Sequence, residues 1–308
     1  MSPSRSEAPP QTAEDSSVAP LAAHGRHLPR WSRAWLWKMQ EHTPLVWFTS
    51  LAIGGAGMIA AAALRMRTEP AAPAVALAVG ILALGAGLLV STLHLGRKSR
   101  APLALRGVGR SALSHEIVLA AATVAAGLTL LVMNWQAYPY VWARIAAAAT
   151  ATLFLLSIGR VYHLGGQRTW RGAAVLMPLT AGLVCGEVFL QAIGNAPIRE
   201  FGLALWLVSI DALVFACRWR TLTRTASAGT PRRVDADRLR NLPAARLLIF
   251  DVIPLVLLDM NAARLAFVAV AVGLAFDRWL FYALAEQHTT EAEIARVEAI
   301  IEHESRIG

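Results

Sequence analysis

Apolar runs of about twenty residues alternate with short basic or proline-bearing stretches through the middle of the chain. The runs lie at 44–64, 73–94, 115–134, 140–160, 172–193, 201–217, 244–260 and 263–285. A helix needs about 20 apolar residues to cross a hydrocarbon core of about 30 Å, so each run is near the length of a span. The sixth and seventh are short. Period-2 alternation is absent, and backbone facing lipid must bond within its own segment, so the expected elements are helices rather than barrel strands. Small residues recur inside the runs, as in Gly54-Gly55-Ala56-Gly57 and from Gly80 to Gly87, where helix backbones approach closely. The pattern predicts an all-α, polytopic membrane protein with about eight transmembrane helices in a bundle.

The flanks differ in kind. Residues 1–30 are rich in Pro, Ser, Ala and Glu without an apolar run, the signature of a disordered tail. No h-region with a small-residue cleavage site follows a basic start, so the tail is not a secretory signal. Trp31 to Lys38 mixes aromatic and basic residues, as an interfacial anchor does. The expected organisation is a basic tail with an interfacial segment over 1–43, a transmembrane domain over 44–285, and an amphipathic C-terminal tail over 286–308. In that last tail Ile294, Val297, Ile300 and Ile301 form one stripe. The stripe suits docking on a partner or lying at the membrane surface, and a solvated helix accounts for it equally.

Composition narrows the class. Of 308 residues 56% are apolar and 16% charged, with a mean hydropathy of +0.48. Soluble domains sit near 45–50% and about 25%, so neither an ordinary soluble enzyme nor a disordered chain is expected. The net charge of +9 belongs to loops and lipid headgroups rather than to nucleic acid. Lys and Arg number 23 on the side holding both tails and the 2–3, 4–5 and 6–7 loops, against 4 on the other. The positive-inside rule then places both termini in the cytoplasm. The basic stretches Arg97 to Arg110 and Arg218 to Arg246 are candidate docking surfaces, or simply set topology.

The redox inventory is small. Cys185 and Cys217 fall in separate spans, whereas an iron–sulfur cluster normally takes four thiolates. The eight histidines lie in tails or at span ends, which disfavours haem held between spans. No haem or iron–sulfur cluster is therefore expected in this chain.

Several charged side chains fall in the runs: Glu116, Arg144, Glu187, Asp211, Asp251, Asp277 and Arg278. Each costs about 2.5–3.5 kcal/mol at a helix centre on insertion scales. Interhelical pairing accounts for Asp211, Asp251 and Arg144, and Asp277 is placed to neutralise Arg278 or to pair elsewhere. A proton- or cation-coupled transporter would use Asp211, Asp251 and Glu187 instead. Pro178 and Pro254 interrupt spans, but not in matching halves as discontinuous transporter helices would.

Glu116 stands apart. It lies in Ser111-Ala-Leu-Ser-His-Glu-Ile117, where the third span begins, while His94 ends the second span. Both fall on the basic side. Oxidising a quinol releases two protons with two electrons, and an imidazole beside a partly buried carboxylate is a suitable acceptor pair. Ser114 as N-cap and Glu116 as a helix-start acid explain the same residues structurally.

The stretch Ser91-Thr-Leu-His-Leu-Gly-Arg-Lys-Ser-Arg-Ala101, with Ala104 through Ile117, resembles the membrane anchor subunit of dimethyl sulfoxide reductase-type molybdoenzymes. That family carries HLG, Arg-Ala and S-x-L-S-x-E-I segments in this order between spans two and three. Glu41 to Phe48, Arg160-Val-Tyr162, Thr169-Trp170 and Arg278 with Phe281-Tyr282 match it more weakly. The resemblance implies eight helices without haem, iron–sulfur cluster or molybdenum cofactor in this chain, a bacterial inner-membrane location, and menaquinol or ubiquinol as substrate. It implies a partner with four iron–sulfur clusters and a catalytic subunit with a molybdopterin cofactor. By position, its quinol-binding or proton-accepting residues are His94 and Glu116, with Arg278 a third, which either holds a quinone oxygen or pairs with Asp277. The long start, the extended C-terminal tail and the cytoplasmic placement of the 2–3 loop depart from the family pattern.

Overall fold

A computed structural model describes residues 30–66, 71–94, 111–136, 141–161, 175–194, 201–226 and 241–284, without the side chains of 30–42, 93, 94, 161, 201, 221–226, 283 and 284. The chain forms two compact units, Met1–Trp37 and Lys38–Gly308. In the first, the described residues 30–37 are helical. Helix α1 (Arg30–Arg65) therefore starts within the segment expected to be a tail. The C-terminal stripe at 294–301 lies outside the described residues, as do the 95–110 loop and Thr169-Trp170.

The second unit is a helical bundle. After α1 come α2 (Ala71–His94), α3 (Ala112–Trp135), α4 (Val141–Val161), α5 (Met177–Ile193) and α6 (Phe201–Ala226). Then α7 (Leu242–Leu247), a π-helical turn (Leu248–Val252) and α8 (Ile253–Asp259) make one continuous rod, followed by α9 (Ala263–Leu284). Counting the rod once, the described residues give eight helices, and no strand occurs among them. Six of these helices are long and apolar enough to cross a bilayer, and α5 is a shorter apolar helix.

The most buried span is α1: 78% of its apolar window lies inside the bundle, against 28% for α2, α3 and α6. Small residues place it there. The Gly57 backbone meets α5 so closely that a Cβ would sit 1.8 Å from the Gly182 carbonyl oxygen, and a Cβ on Gly186 would sit 2.2 Å from that of Gly57. On its other side, Gly55 and Gly80 bring α1 against α2 in the same way. Lipid tails are as apolar as the helix faces, so such contact, rather than expulsion from water, holds these helices together. Around this centre α3 packs on α2 and α4, while α9 packs on α5 and on the rod.

Three expectations change. The third span starts earlier: Ser111 is the N-cap of α3, so Ser114 is an internal, buried residue and not the cap. Pro178 does not interrupt a span, because it occupies the first turn of α5, where its missing N–H is harmless. The sixth span runs past 217 to Ala226, because Arg218 is buried in the protein and does not begin a loop. Pro254 follows the π-turn directly. A proline ring collides with the carbonyl four residues back, and the wider turn relieves that collision. Asn261, with φ 59°, closes the rod: the N–H of Ala262 donates to Leu257 O and that of Asn261 to Leu258 O.

Candidate functional site

The polar residues that sequence reasoning singled out separate into three places. The first is a buried ionic network on α6, the rod and α9. Arg246 is fully buried and uses three nitrogens on three helical segments. Its Nη2 donates to Asp211 Oδ2 at 2.5 Å, its Nη1 to Asp251 Oδ2 at 2.5 Å and its Nε to Asp277 Oδ1 at 3.0 Å. Arg278 donates to Asp277 Oδ2, and Thr180 of α5 donates its hydroxyl to Asp211 Oδ1. The guanidinium of Arg246 lies 4.4 Å and 4.6 Å from the ring centres of Phe215 and Phe250. Buried Arg218 joins from α6, its Nη1 3.0 Å from Met177 Sδ and its guanidinium over Phe281. Three arginines thus face three aspartates, a match in formal charge.

The π-turn makes this network possible. Arg246 and Asp251 are five residues apart, and an α-helix turns about 100° per residue, which would carry them well off one face. The wider turn brings them back together. Arg218 and Arg246 were read from sequence as the ends of a basic docking stretch; burial in the network removes both from any such surface. The topological bias survives the change, with more than twenty Lys and Arg still against four.

The second place is the opposite end of the bundle. Arg65, at the end of α1, pairs with buried Glu187 of α5 at 2.6 Å, and Gln191 Nε2 donates to the same Glu187 oxygen at 3.1 Å. Arg144 of α4 donates Nε and Nη2 to Ala63 O and Leu64 O, both at 2.9 Å, so it serves the unpaired carbonyls at the end of α1. The residues a transporter would need as carriers, Glu187, Asp211 and Asp251, are all engaged by arginines.

The third place is Glu116. It lies on the first turns of α3, 6% exposed, and makes no hydrogen bond or ion pair among the described residues. Neighbouring His115 is exposed. His94 ends α2, and its side chain lies outside the described residues. Their depth follows from the α2–α3 packing, where Gly127 meets Ile81. From that crossing, a rise of about 1.5 Å per residue puts Glu116 about 17 Å along α3 and His94 about 20 Å along α2, toward the same face. The two backbones are thus within one helical turn of the same level on packed antiparallel helices.

Arg278 lies on a helix that does not pack directly on α3 among the described residues. Its helix α9 packs on α5 and the rod, whereas α3 packs on α2 and α4. Its guanidinium is bonded to Asp277 and lies 5.0 Å from the Phe281 ring centre. Sequence reasoning missed Arg246, the hub of the network. Its signal was present: three intramembrane aspartates demand cations, and Arg246 lies five residues from one of them.

The sequence model of the DMSO reductase anchor subunit (DmsC) matches residues 39–284, from the start of the first span to the end of the last. This chain belongs to the DmsC family. It is a multi-pass membrane anchor subunit of DMSO reductase-type enzymes. Nothing matches among curated proteins or among solved structures. The matched region contains all six candidate spans and all three polar sites.

Proposed function

We propose that this DmsC-family chain oxidises menaquinol or ubiquinol at the α2–α3 end of the bundle. Two electrons pass to a partner subunit with four iron–sulfur clusters and from there to a molybdopterin-bearing catalytic subunit. Two protons leave the quinol as it becomes quinone. The Glu116 carboxylate accepts one, and the His94 imidazole hydrogen-bonds the quinol oxygen and relays the other. The observation that carries this reading is Glu116 itself: a carboxylate 6% exposed, within a span, with its acceptor oxygens uncommitted among the described residues. Intramembrane ionisable residues that lack a structural partner are functional by default. The basic face, including Arg97 to Arg110, lies in the cytoplasm of a bacterial inner membrane in this reading and receives the partner. A reporter fused after Gly308 is then active in the cytoplasm, and activity confined to the periplasm overturns the orientation.

The deciding test is fluorescence quenching of a quinoline N-oxide inhibitor, together with quinol oxidation, in membranes holding the chain and its partners. Glu116→Gln is expected to keep assembly and to slow quinol oxidation at least about tenfold, equivalent to about 1.4 kcal/mol in the barrier. His94→Ala weakens inhibitor binding. Wild-type binding and turnover in both variants refute the site. Arg278→Gln separates its two roles: a structural arginine leaves inhibitor affinity unchanged while lowering stability.

A further inference from the structure

A groove of about 640 Å³ opens along α4 and the end of α1, on the bundle face opposite the Glu116 end. It is lined by Ala63, Leu64, Arg144, Ala148, Thr152 and Leu153 among others. We propose that this groove is a specific site for one anionic phospholipid, its phosphate on Arg144 and one acyl chain along α4.

Three observations select that occupant. The first is charge: Arg144 is the charged residue of the lining, so a negative group is the complement. Its Nε and Nη2 each give one hydrogen to the α1 carbonyls. A guanidinium has five N–H donors, so three remain, including both on Nη1, and phosphate oxygens suit that planar fork. The second is depth. Arg144 is the fourth residue of α4, at headgroup level, with exposed Trp142 beside it as an interfacial aromatic. The third is length. From Arg144 to Leu153 the groove follows nine residues, about 14 Å. One leaflet of a hydrocarbon core about 30 Å thick is about 15 Å deep. Ala148 and Ala149 keep the floor shallow, while Ile145 and Leu153 form exposed apolar walls. The carbonyls of Ala63 and Leu64 fix the guanidinium, so little side-chain freedom is lost when the lipid arrives.

The test uses the full chain with its partner subunits in bilayer nanodiscs. Spin-labelled phosphatidylglycerol and phosphatidylcholine are compared for the motionally restricted fraction. Wild type is expected to prefer phosphatidylglycerol about tenfold. Arg144→Gln removes the preference. Because that change also strips the α1 carbonyls, Ala148→Phe is the second variant: it fills the groove, leaves Arg144 in place, and is expected to lose the restricted component as well. Equal retention of both lipids by wild type, or a preference that survives both substitutions, overturns the proposal. Displacement of the restricted lipid by inorganic phosphate at equal concentration also overturns it, since it assigns the site to a free anion.

Discussion

Replacing Gly57 with Ala tests the centre of the bundle with one methyl group. The added Cβ would lie 1.8 Å from the Gly182 carbonyl oxygen. Comfortable contact is about 3.5 Å, so α1 and α5 must part by roughly 1.5 Å. The obstacle is backbone on a buried helix and cannot rotate away. A gap of 0.5–1 Å already forfeits about a quarter to a half of the dispersion attraction, and in lipid no hydrophobic term replaces it. Overpacking typically costs about 1–3 kcal/mol, and a backbone collision belongs at the upper end, about 3 kcal/mol. Gly85→Ala on α2 is the control, since nothing lies within 4 Å of its Cβ position. There the change is neutral or stabilising by up to about 1 kcal/mol. Equilibrium unfolding of the purified chain by SDS in mixed micelles, followed by tryptophan fluorescence, measures both. If Gly57→Ala falls within about 0.5 kcal/mol of Gly85→Ala, the α1–α5 contact is not what centres the bundle.

Other expectations follow from the ionic network and the rod. Arg246→Leu strips Asp251 of its arginine and leaves one oxygen each of Asp211 and Asp277 unpaired, although Thr180 and Arg278 stay bonded to the other oxygens, and it costs about 3–5 kcal/mol by the same unfolding assay. Among the aspartates the order is specific: Asp211 and Asp277 have both oxygens engaged, whereas Asp251 Oδ1 has no hydrogen-bond partner among the described residues, so Asp251→Asn is the mildest of the three. A double-mutant cycle between Arg246 and Asp211 yields a coupling of at least about 1 kcal/mol, and additivity disproves the contact. Asn261→Val forces a β-branched residue to φ 59° and lowers stability by about 1–2 kcal/mol, with Asn261→Gly tolerated.

Eight helices were legible because lipid imposes one demand that sequence displays directly, a long apolar run. Boundaries were less so, for local reasons. Arg218 reads as the start of a loop when taken alone; it becomes a membrane residue because Asp277 and its neighbours lie across from it, a fact of tertiary structure. The π-turn has no signature beyond Pro254, and without it the i, i+5 pair of Arg246 and Asp251 has no reason to form. The candidate quinol site was legible as a motif, in His94 and Glu116, since residues at the ends of adjacent spans share a level by topology alone. The packing of Arg278's helix on α5 and the rod was not, because span order does not say which helices touch.

The contrast among the buried charges is itself an argument about function. Arg246, Asp211, Asp277 and Arg278 balance one another across three helical segments, and Glu187 has Arg65. Arg144 has carbonyls. The protein therefore gives each of these ions a fixed partner of its own. Glu116, equally buried, has no such partner among the described residues. Stability alone would favour an apolar residue there, since burying an uncompensated polar group costs free energy and gains no packing. A carboxylate kept at that cost needs a partner that comes and goes. A quinol arriving from the bilayer meets that requirement, because its hydroxyl donates to Glu116 while it is bound and the oxidised product no longer does. Glu116→Leu then gives a two-sided result: unfolding stability equal to wild type or higher, with quinol oxidation lost. A loss of stability comparable to that of Arg246→Leu would place Glu116 among the structural ions and remove the basis of the proposed site.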